Sequence, residues 1–481
     1  MLRRAMSDAR TARGPVGTII TVVAVAVAIG APGSLHPHAE RRAVAAVRPP
    51  PDVILVLTDD QRAGTLTQMP QLRRRVLRRG IQFRAAYVPT PSCCPSRASF
   101  YTGTYSHTNG VWKNEGPFGG FAAFDDSSTL ATWLDDAGYH TGLFGKYLNG
   151  YQDPTIVPPG WDEWFAFLAD DGRNYYGFDV SHNGAFETFP ASEYSTVETY
   201  RRVVSFIRST PAGEPLFAVW TPIAPHRPYV PQDIYADAPI DVGRWRSPSY
   251  NERDVTDKPR WVRRMDRLDA QQRRTLDAER IQQYRTLLSV DDGVGEIAQA
   301  LRQDGRLSNT LFVFASDNGT MWGEHRLMKK AVPYEGASRV PMLVRFDPLT
   351  RERRGSKVGS PVVNIDLAPT VMDLVGEAPG SPVDGKSLVR LLRGSATQVR
   401  AQFIIEHAGG GDAPAYCGAR TRRELFVHYT TGEEEYYRRT DDPWNLVNAI
   451  DDPSNAQRVR QLRTYTRDRC RPVPPGFSWS T

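Results

Sequence analysis

Two adjacent carboxylates, Asp59 and Asp60, directly follow the apolar, β-branched run Asp52–Thr58. Neighbouring carboxylates repel each other, so either one of them is protonated or a positive group lies close by. A second apolar run, Leu311–Ala315, is soon followed by the pair Asp317–Asn318. Each pair alone is also typical of a turn or a helix cap. Together, at the ends of two strands, they offer the oxygen ligands that Ca²⁺ and Mg²⁺ prefer, and they predict a divalent-cation site.

A pair of cysteines begins the second segment that could carry chemistry. Within Pro91–Gly110, Cys93 and Cys94 are followed by Pro, Ser and Arg97, and then by Thr102–Gly103. From the residue types alone, the two thiols could form a disulfide between neighbours, bind a metal, or be buried without reacting. The ordered set of Cys, Pro, Ser, Arg, Thr and Gly is more specific than any of these roles requires.

The pattern C-x-P-S-R-x-x-x-x-T-G, which begins at Cys93, resembles the signature of the formylglycine-dependent sulfatases of the alkaline-phosphatase-like superfamily. Other motifs stand in the order of that family: LVLTDDQ, GKYLNGY, PPGW, APHRP, SDNG, KKAVPYEG, RVPMLVR and IDLAPTVMDL. They are most similar to those of N-acetylglucosamine-6-sulfatases and arylsulfatases. The resemblance implies that Cys93, rather than Cys94, is oxidised to a formylglycine aldehyde.

The resemblance also implies a role for each matching side chain. As formylglycine, Cys93 would be the nucleophile and would lie at the cation, usually Ca²⁺, with Mg²⁺ as the alternative. The resemblance implies four cation ligands, Asp59, Asp60, Asp317 and Asn318. It implies that Arg97 neighbours the cation and the formylglycine. The implied sulfate-binding residues are Lys146, His226 and Lys330. His226 would also assist the leaving group, and Lys329 is a weaker choice than its neighbour Lys330.

One position departs from the pattern of many sulfatases. They have a His two residues after the motif Lys, whereas Leu148 stands two residues after Lys146 in this chain. N-acetylglucosamine-6-sulfatases are similar to this chain at that point, so activity is not excluded. His107 and His325 are candidates for the base that would release the covalent intermediate, although a single His is more often structural.

The chemistry of a sulfate ester explains why these residue types are needed. Negative charge on the non-bridging oxygens and on the departing alcohol must be neutralised, and a divalent cation, two Lys and a protonated His do this. A hydrated aldehyde carries two hydroxyls on one carbon. One hydroxyl attacks sulfur and releases the alcohol, and the other, once deprotonated, collapses to the aldehyde and expels sulfate. A Ser would leave a stable sulfated enzyme, and an unconverted Cys lacks the second hydroxyl.

The elements that position these groups predict an α/β fold. Apolar runs typical of buried strands alternate with helical stretches along the chain. The expected strands are Asp52–Thr58, Leu216–Thr221 and Leu311–Ala315. The expected helices are Thr129–Ala137, Thr196–Ile207 and Ile281–Leu301. Ligands of open α/β sheets bind beyond the carboxyl ends of the strands. We expect a large, mostly parallel sheet flanked by helices, with a catalytic domain over 51–400 and a smaller α+β domain over 401–481.

Two regions lie outside this pattern. Residues 252–285 contain ten basic and seven acidic residues with few apolar positions. They predict a solvated insertion or an exposed helix, with a polyanion-binding arm as the alternative. After residue 400, short strands are expected over Phe403–Glu406, Glu424–Thr430 and Glu434–Arg438.

Residues 1–50 predict an export signal followed by a linker. Basic residues, among them Arg3 and Arg4, precede the apolar run Ile19–Ala31, which is shorter than the roughly 20 residues of a membrane-spanning helix. We expect a secreted, periplasmic or cell-surface protein, with an uncleaved N-terminal segment as its one route to a membrane. Outside the cytosol, Cys417 and Cys470 can form a disulfide.

Composition narrows the function classes further. The 481 residues include 39 Gly, 37 Pro and four Cys, which excludes collagen-like, low-complexity and disulfide-stapled mini-protein classes. The net charge of +6 favours anionic partners, although we expect no nucleic acid among them. The 60 basic residues include only seven Lys, so the lysines of the motifs are informative.

These observations predict a sulfuric ester hydrolase that acts on sulfated sugars, with 6-O-sulfated glucosamine as one candidate and aryl sulfates as simple substrates. A formylglycine-generating enzyme is the expected maturation partner. The first alternative is a phosphonate monoester or phosphodiester hydrolase of the same superfamily. The second is a non-catalytic glycan-binding surface protein in which Cys93 stays a thiol.

Overall fold

The computed structural model of the chain describes residues 49–168 and 174–479, so the expected export signal lies outside the described residues. Its strands are β1 (Asp52–Thr58), β2 (Ile81–Phe83), β3 (Ala86–Tyr87), β4 (His140–Gly145), β5 (Glu163–Phe167), β6 (Tyr176–His182), β7 (Ala185–Tyr194), β8 (Leu216–Thr221), β9 (Thr310–Ser316), β10 (Met342–Arg345), β11 (Ser356–Val358), β12 (Val362–Val363), β13 (Gln402–His407), β14 (Tyr416–Thr421), β15 (Glu424–Tyr429) and β16 (Glu434–Arg438). Its α-helices are α1 (Pro70–Leu72), α2 (Cys93–Thr102), α3 (Ser106–Asn109), α4 (Leu130–Asp136), α5 (Ser195–Ser209), α6 (Arg260–Arg263), α7 (Ala270–Gln303), α8 (Glu335–Ser338), α9 (Asp347–Thr350), α10 (Leu367–Val375), α11 (Val389–Arg393) and α12 (Ala456–Arg469).

Ten strands form one mixed sheet in the order β11-β2-β10-β9-β1-β8-β4-β5-β6-β7. The five neighbours from β9 to β5 are parallel. Such strands are buried on both faces, which matches the continuous apolar runs of β1, β8 and β9. Because these strands run in one direction, the polar residues that follow them lie at one edge of the sheet.

Helices cover both faces of this sheet. Alternate residues of β1 face opposite sides, as the period of two in a strand requires. Leu55 belongs to the same buried cluster as Ala98 of α2, whereas Val56 belongs to a second cluster with Val290 of α7. Helix α7 begins with a capping box in which the Asp269 side chain accepts a hydrogen bond from the backbone of Gln272. The site is therefore built on elements that are held from both sides.

A second sheet follows towards the C-terminus. Strands β13 to β16 form an antiparallel four-stranded sheet. Helix α12 packs against it through Val459 and Leu462, which share a buried cluster with Phe426. The predicted disulfide is present between Cys417 and Cys470. The domain boundary at residue 400 stays a prediction.

The elements that were predicted agree closely with the observed ones, except at the start of one helix. Helix α7 begins at Ala270, eleven positions before the predicted Ile281, because its exposed charged positions hid the helical period in the sequence. The second half of the charged segment 252–285 is therefore helical, as the solvated-helix interpretation predicted. Strands β2 to β7, β10 to β12 and β14 were not predicted. In residues 49–168 and 174–479, no helix is both long and apolar enough to cross a bilayer.

Candidate active site

The ends of β1 and β9 bring the two acidic pairs together. Thr58 is in register with Ser316 in the parallel pair, so the residues that follow each strand meet. The backbone N–H of Asp317 donates to the Thr58 carbonyl at 3.0 Å, and the backbone N–H of Asp60 donates to Asp317 Oδ1 at 3.1 Å. The chain turns away from the sheet at Asp60, whose φ of 64° lies in the left-handed region. All four side chains of the two pairs are buried.

Helix α2 presents Cys93 to these carboxylates. Cys93 is the first residue of the helix, and its thiol donates to Asp59 Oδ1 at 3.4 Å. Lys330 Nζ donates to Cys93 Sγ at 2.8 Å and also binds Asp60 Oδ1. The loop that carries Lys330 is held against the cysteine segment by the Ala331 N–H, which donates to the Pro91 carbonyl at 2.9 Å.

Cys94 faces the opposite way, into the core. Its thiol donates to Asn149 Oδ1 at 3.4 Å and accepts a hydrogen bond from the Asn149 backbone at 3.0 Å. The Cys94 backbone N–H donates to Asn114 Oδ1 at 2.9 Å. Both cysteines are free thiols, which rules out a disulfide between these neighbours in the structure. Only Cys93 faces the carboxylates.

Arg97 lies one helical turn after Cys93 and ties three parts of the site together. Its Nε donates to Asp317 Oδ2 at 2.8 Å, and one terminal nitrogen donates to the Lys146 carbonyl at 2.7 Å. The other terminal nitrogen lies 3.6 Å from Asp59 Oδ2. The guanidinium is fully buried, so these charges and hydrogen bonds are what make its burial tolerable.

Lys146 and His226 enter from the ends of β4 and β8. Lys146 Nζ donates to Asp59 Oδ2 at 2.5 Å. It follows Gly145, where a Cβ atom would lie 2.2 Å from the Thr221 carbonyl oxygen, so only Gly allows this close approach of β4 to β8. His226 Nε2 lies 3.7 Å from Asp60 Oδ2.

Charge and burial set the protonation of these groups. Burial raises the pKa of Asp59, but the positive charges of Lys146, His226, Arg97 and Lys330 outweigh it and hold that pKa well below its usual range. Burial and the nearby Asp59 charge raise the pKa of Asp317 to about 6. Burial raises the pKa of the Cys93 thiol, with Asp59 adding to the effect. An unmodified Cys93 is therefore a neutral thiol and a poor nucleophile.

The pKa values of the basic groups in the site shift in different directions. Burial lowers the pKa of Lys146, but Asp59, Cys93 and Asp317 together raise it by more, so the net change is upward. Burial likewise opposes the charge of Lys330, yet Asp60 leads a group of neighbours that raises its pKa well above the usual value. Burial lowers the pKa of His226 in spite of Asp59 and Asp60. Both lysines are charged, whereas His226 is readily deprotonated.

The residues present fit a divalent cation. Asn318 Oδ1 is buried and has no hydrogen-bond partner among the described residues, and a buried amide oxygen of this kind is costly unless a cation or water binds it. Asp59, Asp60, Cys93 and His226 place potential ligand atoms within 4.8 Å of one another. With Asp317 and Asn318 at the end of the paired strand β9, the site offers three carboxylates and one amide oxygen, ligands of the kind that Ca²⁺ and Mg²⁺ prefer.

His107 and His325, the candidate bases for release of the covalent intermediate, each pair with a carboxylate that is not among the predicted site residues. His107 Nδ1 lies 2.7 Å from Glu406 Oε2, and its ring stacks on Tyr105. His325 is buried with its Nδ1 2.6 Å from Glu252 Oε2. Among the described residues, Cys93 contacts neither histidine, and each histidine pairs with its own carboxylate. Both histidines therefore have the structural partners that the simpler interpretation predicts.

The structure also shows where Leu148 and Lys329, two positions discussed in the sequence motifs, lie. Leu148, which stands where many sulfatases have a His, is buried in the core cluster beside α2. Lys329 is exposed, whereas Lys330 contacts Cys93 and Asp60. Of the adjacent lysines, Lys330 is the one that reaches the site.

Some positioning residues carried no sequence signal that identified them. The Ser96 hydroxyl donates to the Asp317 carbonyl, and Asn364 Nδ2 donates to both oxygens of Ser96. The hydroxyl of Tyr175 donates to the His226 carbonyl at 2.6 Å. Ser96 lies within the recognised cysteine motif, but nothing in the spacing of Asn364 or Tyr175 indicates their contacts.

Comparison with protein families gives two matches. The sulfatase family model matches residues 51–377, more than half of the chain. A model described as N-sulphoglucosamine sulphohydrolase, C-terminal, matches residues 323–469. The two matches together span the large sheet and the C-terminal sheet.

Curated relatives agree with the family matches. The human N-acetylglucosamine-6-sulfatase is 33% identical over 381 residues, which cover 75% of this chain and 68% of that protein. The extracellular sulfatase SULF-1 homolog of Drosophila melanogaster is 34% identical over 378 residues, which cover 75% of this chain. The chain spans only 33%, 49% and 58% of the lengths of the first three relatives it matches.

Solved structures share the fold. BT4656 in complex with its substrate D-glucosamine-2-N,6-O-disulfate has a TM-score of 0.75 at 22% identity, covering 88% of this chain and 97% of that one. The phosphonate monoester hydrolase of Agrobacterium radiobacter has a TM-score of 0.69 at 21% identity, covering 87% of this chain and 95% of that one. This likeness shows an alkaline-phosphatase-like fold of a mixed, mostly parallel sheet with flanking helices. With the family match over residues 51–377, it follows that the chain belongs to the sulfatase family.

Proposed function

We propose that this protein is a sulfuric ester hydrolase. The observation that carries the proposal is the position of Cys93, whose sulfur lies 3.4 Å from Asp59 Oδ1 and 2.8 Å from Lys330 Nζ at the strand ends of a sulfatase-family fold. The cluster combines a modifiable nucleophile with three nearby cations, Arg97, Lys146 and Lys330. Such a cluster suits a substrate that gains negative charge in its transition state.

Cys93 acts after oxidation to formylglycine by a formylglycine-generating enzyme. The hydrated aldehyde supplies a hydroxyl nucleophile and a second hydroxyl through which sulfate is released. The neutral, buried state of the Cys93 thiol supports this proposal, because an unmodified thiol with a raised pKa has little thiolate to offer.

Asp59, Asp60, Asp317 and Asn318 would hold the divalent cation, with Ca²⁺ as the first candidate and Mg²⁺ as the second. The cation supplies positive charge at the reacting oxygens. The unpartnered Asn318 Oδ1 supports this assignment. Arg97 keeps the Asp317 carboxylate in place, since Nε donates to Oδ2 while Oδ1 accepts from the Asp60 backbone.

The remaining side chains bind the sulfate and move a proton. Lys146 and Lys330 stay charged and bind the non-bridging oxygens. His226 Nδ1 lies 2.6 Å from the Arg227 carbonyl, which can only accept a hydrogen bond, so Nδ1 keeps its hydrogen. Nε2 is then the atom that exchanges a proton in the site, and a protonated Nε2 donates to the oxygen of the departing alcohol.

Sulfated sugars are the proposed substrates, with 6-O-sulfated glucosamine as the first candidate. The relatives named as N-acetylglucosamine-6-sulfatases and as extracellular sulfatases support the substrate class and support export of the protein. A phosphonate monoester or phosphodiester hydrolase is the second candidate function, which the likeness to the Agrobacterium radiobacter hydrolase favours at the level of the fold.

The two functions are separated by turnover of matched aryl esters. An aryl sulfate, an aryl phosphodiester and an aryl phosphonate monoester with the same leaving group are compared by kcat/KM, and sulfate release from glucosamine 6-sulfate is measured alongside. We expect the aryl sulfate to have the highest kcat/KM of the three aryl esters. Faster turnover of either phosphorus ester would overturn the sulfatase proposal.

A further inference from the structure

Five arginines line a surface cavity of about 410 Å³ in a part of the molecule that the proposed mechanism does not use. We call these residues the arginine patch: Arg244, Arg246, Arg267, Arg273 and Arg274. Among the described residues that line this cavity, Asp277 is the only acid. Arg246 already donates to both carboxylate oxygens of Asp277, at 2.9 and 2.6 Å. The other four arginines form no salt bridge with residues 49–168 or 174–479.

This arrangement favours a polyanionic ligand. Like charges that converge on one cavity repel each other, and an anion with several charges relieves that repulsion. The Arg246 guanidinium lies 4.3 Å from the centre of the Tyr250 ring, so its position is fixed by the aromatic face as well as by Asp277. A planar guanidinium can donate two parallel hydrogen bonds to one sulfate group, which a Lys cannot do.

Helix α7 links the arginine patch to the segment that contains His226. Arg273 and Glu279 both lie on α7, six residues or about 9 Å apart along the helix axis. Glu279 binds Arg227 through both carboxylate oxygens, at 2.7 and 2.6 Å. Arg227 directly follows His226 in the chain. Helix α7 thus connects the arginine patch, through Glu279 and Arg227, to the chain neighbour of His226.

A second set of contacts links the patch to the segment that follows Asp60. Tyr250 forms an antiparallel bridge with Glu324, and Glu324 binds Arg62 at 2.6 Å. Arg62 comes two residues after Asp60. Two chain segments therefore connect the patch to residues that neighbour Asp60 and His226 in the candidate active site.

We infer that the arginine patch is a subsite for the anionic groups of a sulfated polysaccharide whose scissile sulfate ester occupies the candidate active site. The inference rests on the proposed function and narrows it, because it makes a multiply sulfated oligomer a better substrate than a single sulfated sugar. The charged segment 252–285 then contributes to substrate binding through Arg267, Arg273 and Arg274.

The test is direct binding of a heparin-type octasaccharide to protein that carries Cys93→Ala, so that no turnover occurs. The patch variant adds Arg267→Glu and Arg274→Glu. The control adds Arg460→Glu and Arg467→Glu, which are exposed positions on α12 and change the net charge equally. We expect the patch variant to weaken octasaccharide binding about tenfold, with less than about a twofold change in the control. Raising the ionic strength reduces this difference.

Equal weakening in the patch and control variants overturns the inference, because overall charge would then explain the binding. So does equally tight binding of a desulfated octasaccharide. Thermal unfolding of each variant checks its fold, and Arg267→Gln with Arg274→Gln replaces the charge reversals if they unfold the protein. If the wild-type protein hydrolyses no sulfate ester, the proposed function fails, while the binding measurement still decides the role of the arginine patch.

Discussion

Cys93 and Cys94 show how strongly one position along a helix can change the role of a residue. Cys93 contacts Asp59 and Lys330, whereas Cys94 is buried against Asn114 and Asn149. We expect Cys93→Ala to reduce turnover of an aryl sulfate by at least about 10³-fold, because the nucleophile is removed. Cys94→Ala should keep turnover within about fivefold and cost roughly 1 kcal/mol of stability. Equal losses of turnover in the two variants would instead indicate a joint role for the two thiols.

The adjacent lysines offer a second matched pair at the residue scale. Lys330 binds Asp60 and Cys93, and Lys329 is exposed. Lys330→Ala removes a positive charge from the place where the sulfate oxygens bind, so we expect kcat/KM for an aryl sulfate to fall by about 10²-fold or more. Lys329→Ala should stay close to wild type. A larger loss in the Lys329 variant would reverse the assignment.

At the scale of elements, His107 of α3 binds Glu406 of β13 through both its ring and its backbone N–H. Burial lowers the pKa of His107, but the hydrogen bond to Glu406 and the charges of Glu406 and Asp384 together outweigh it, so the net pKa lies above its usual value. A raised pKa in the folded state means that the contact contributes fully below the unfolded value and is lost as pH rises through the folded value.

We therefore expect His107→Ala to lower the free energy of unfolding by more at pH 5.5 than at pH 8.5, with a difference of about 1 kcal/mol. Denaturant unfolding of wild type and variant at both pH values measures it. A loss of stability that is the same at the two pH values, or greater at pH 8.5, contradicts a charged His107 in the native state.

The central strands β1, β8 and β9 were predictable from the sequence, whereas other strands and many of the contacts around them were not. Continuous apolar runs mark β1, β8 and β9, and the parallel arrangement then places Asp59 and Asp317 together. By contrast, β14 contains Gly418 and Arg420 and lacks a clear apolar pattern. Its Arg420 is buried because it binds Glu335, a partner 85 residues away that no local pattern reveals.

For the whole molecule, the divalent cation connects activity and stability. Anything that binds only the folded chain stabilises it, and the cation would relieve repulsion between buried carboxylates of β1 and β9. We expect thorough chelation to abolish aryl sulfate turnover and to lower the Tm by several degrees, and Ca²⁺ to restore both. Asn318→Ala should need more Ca²⁺ for recovery. Unchanged turnover and Tm after metal removal would argue against a cation at these residues.

The central claim is that Cys93 carries an aldehyde in the working enzyme. Mass spectrometry of the peptide that contains Cys93, prepared from protein with measured sulfatase turnover and treated with an aldehyde-reactive hydrazide, tests it most directly. The account predicts a peptide in which the CH₂–SH group is replaced by CHO and which reacts with the hydrazide, in proportion to activity across preparations. Fully active protein whose Cys93 is entirely an unmodified thiol would contradict it.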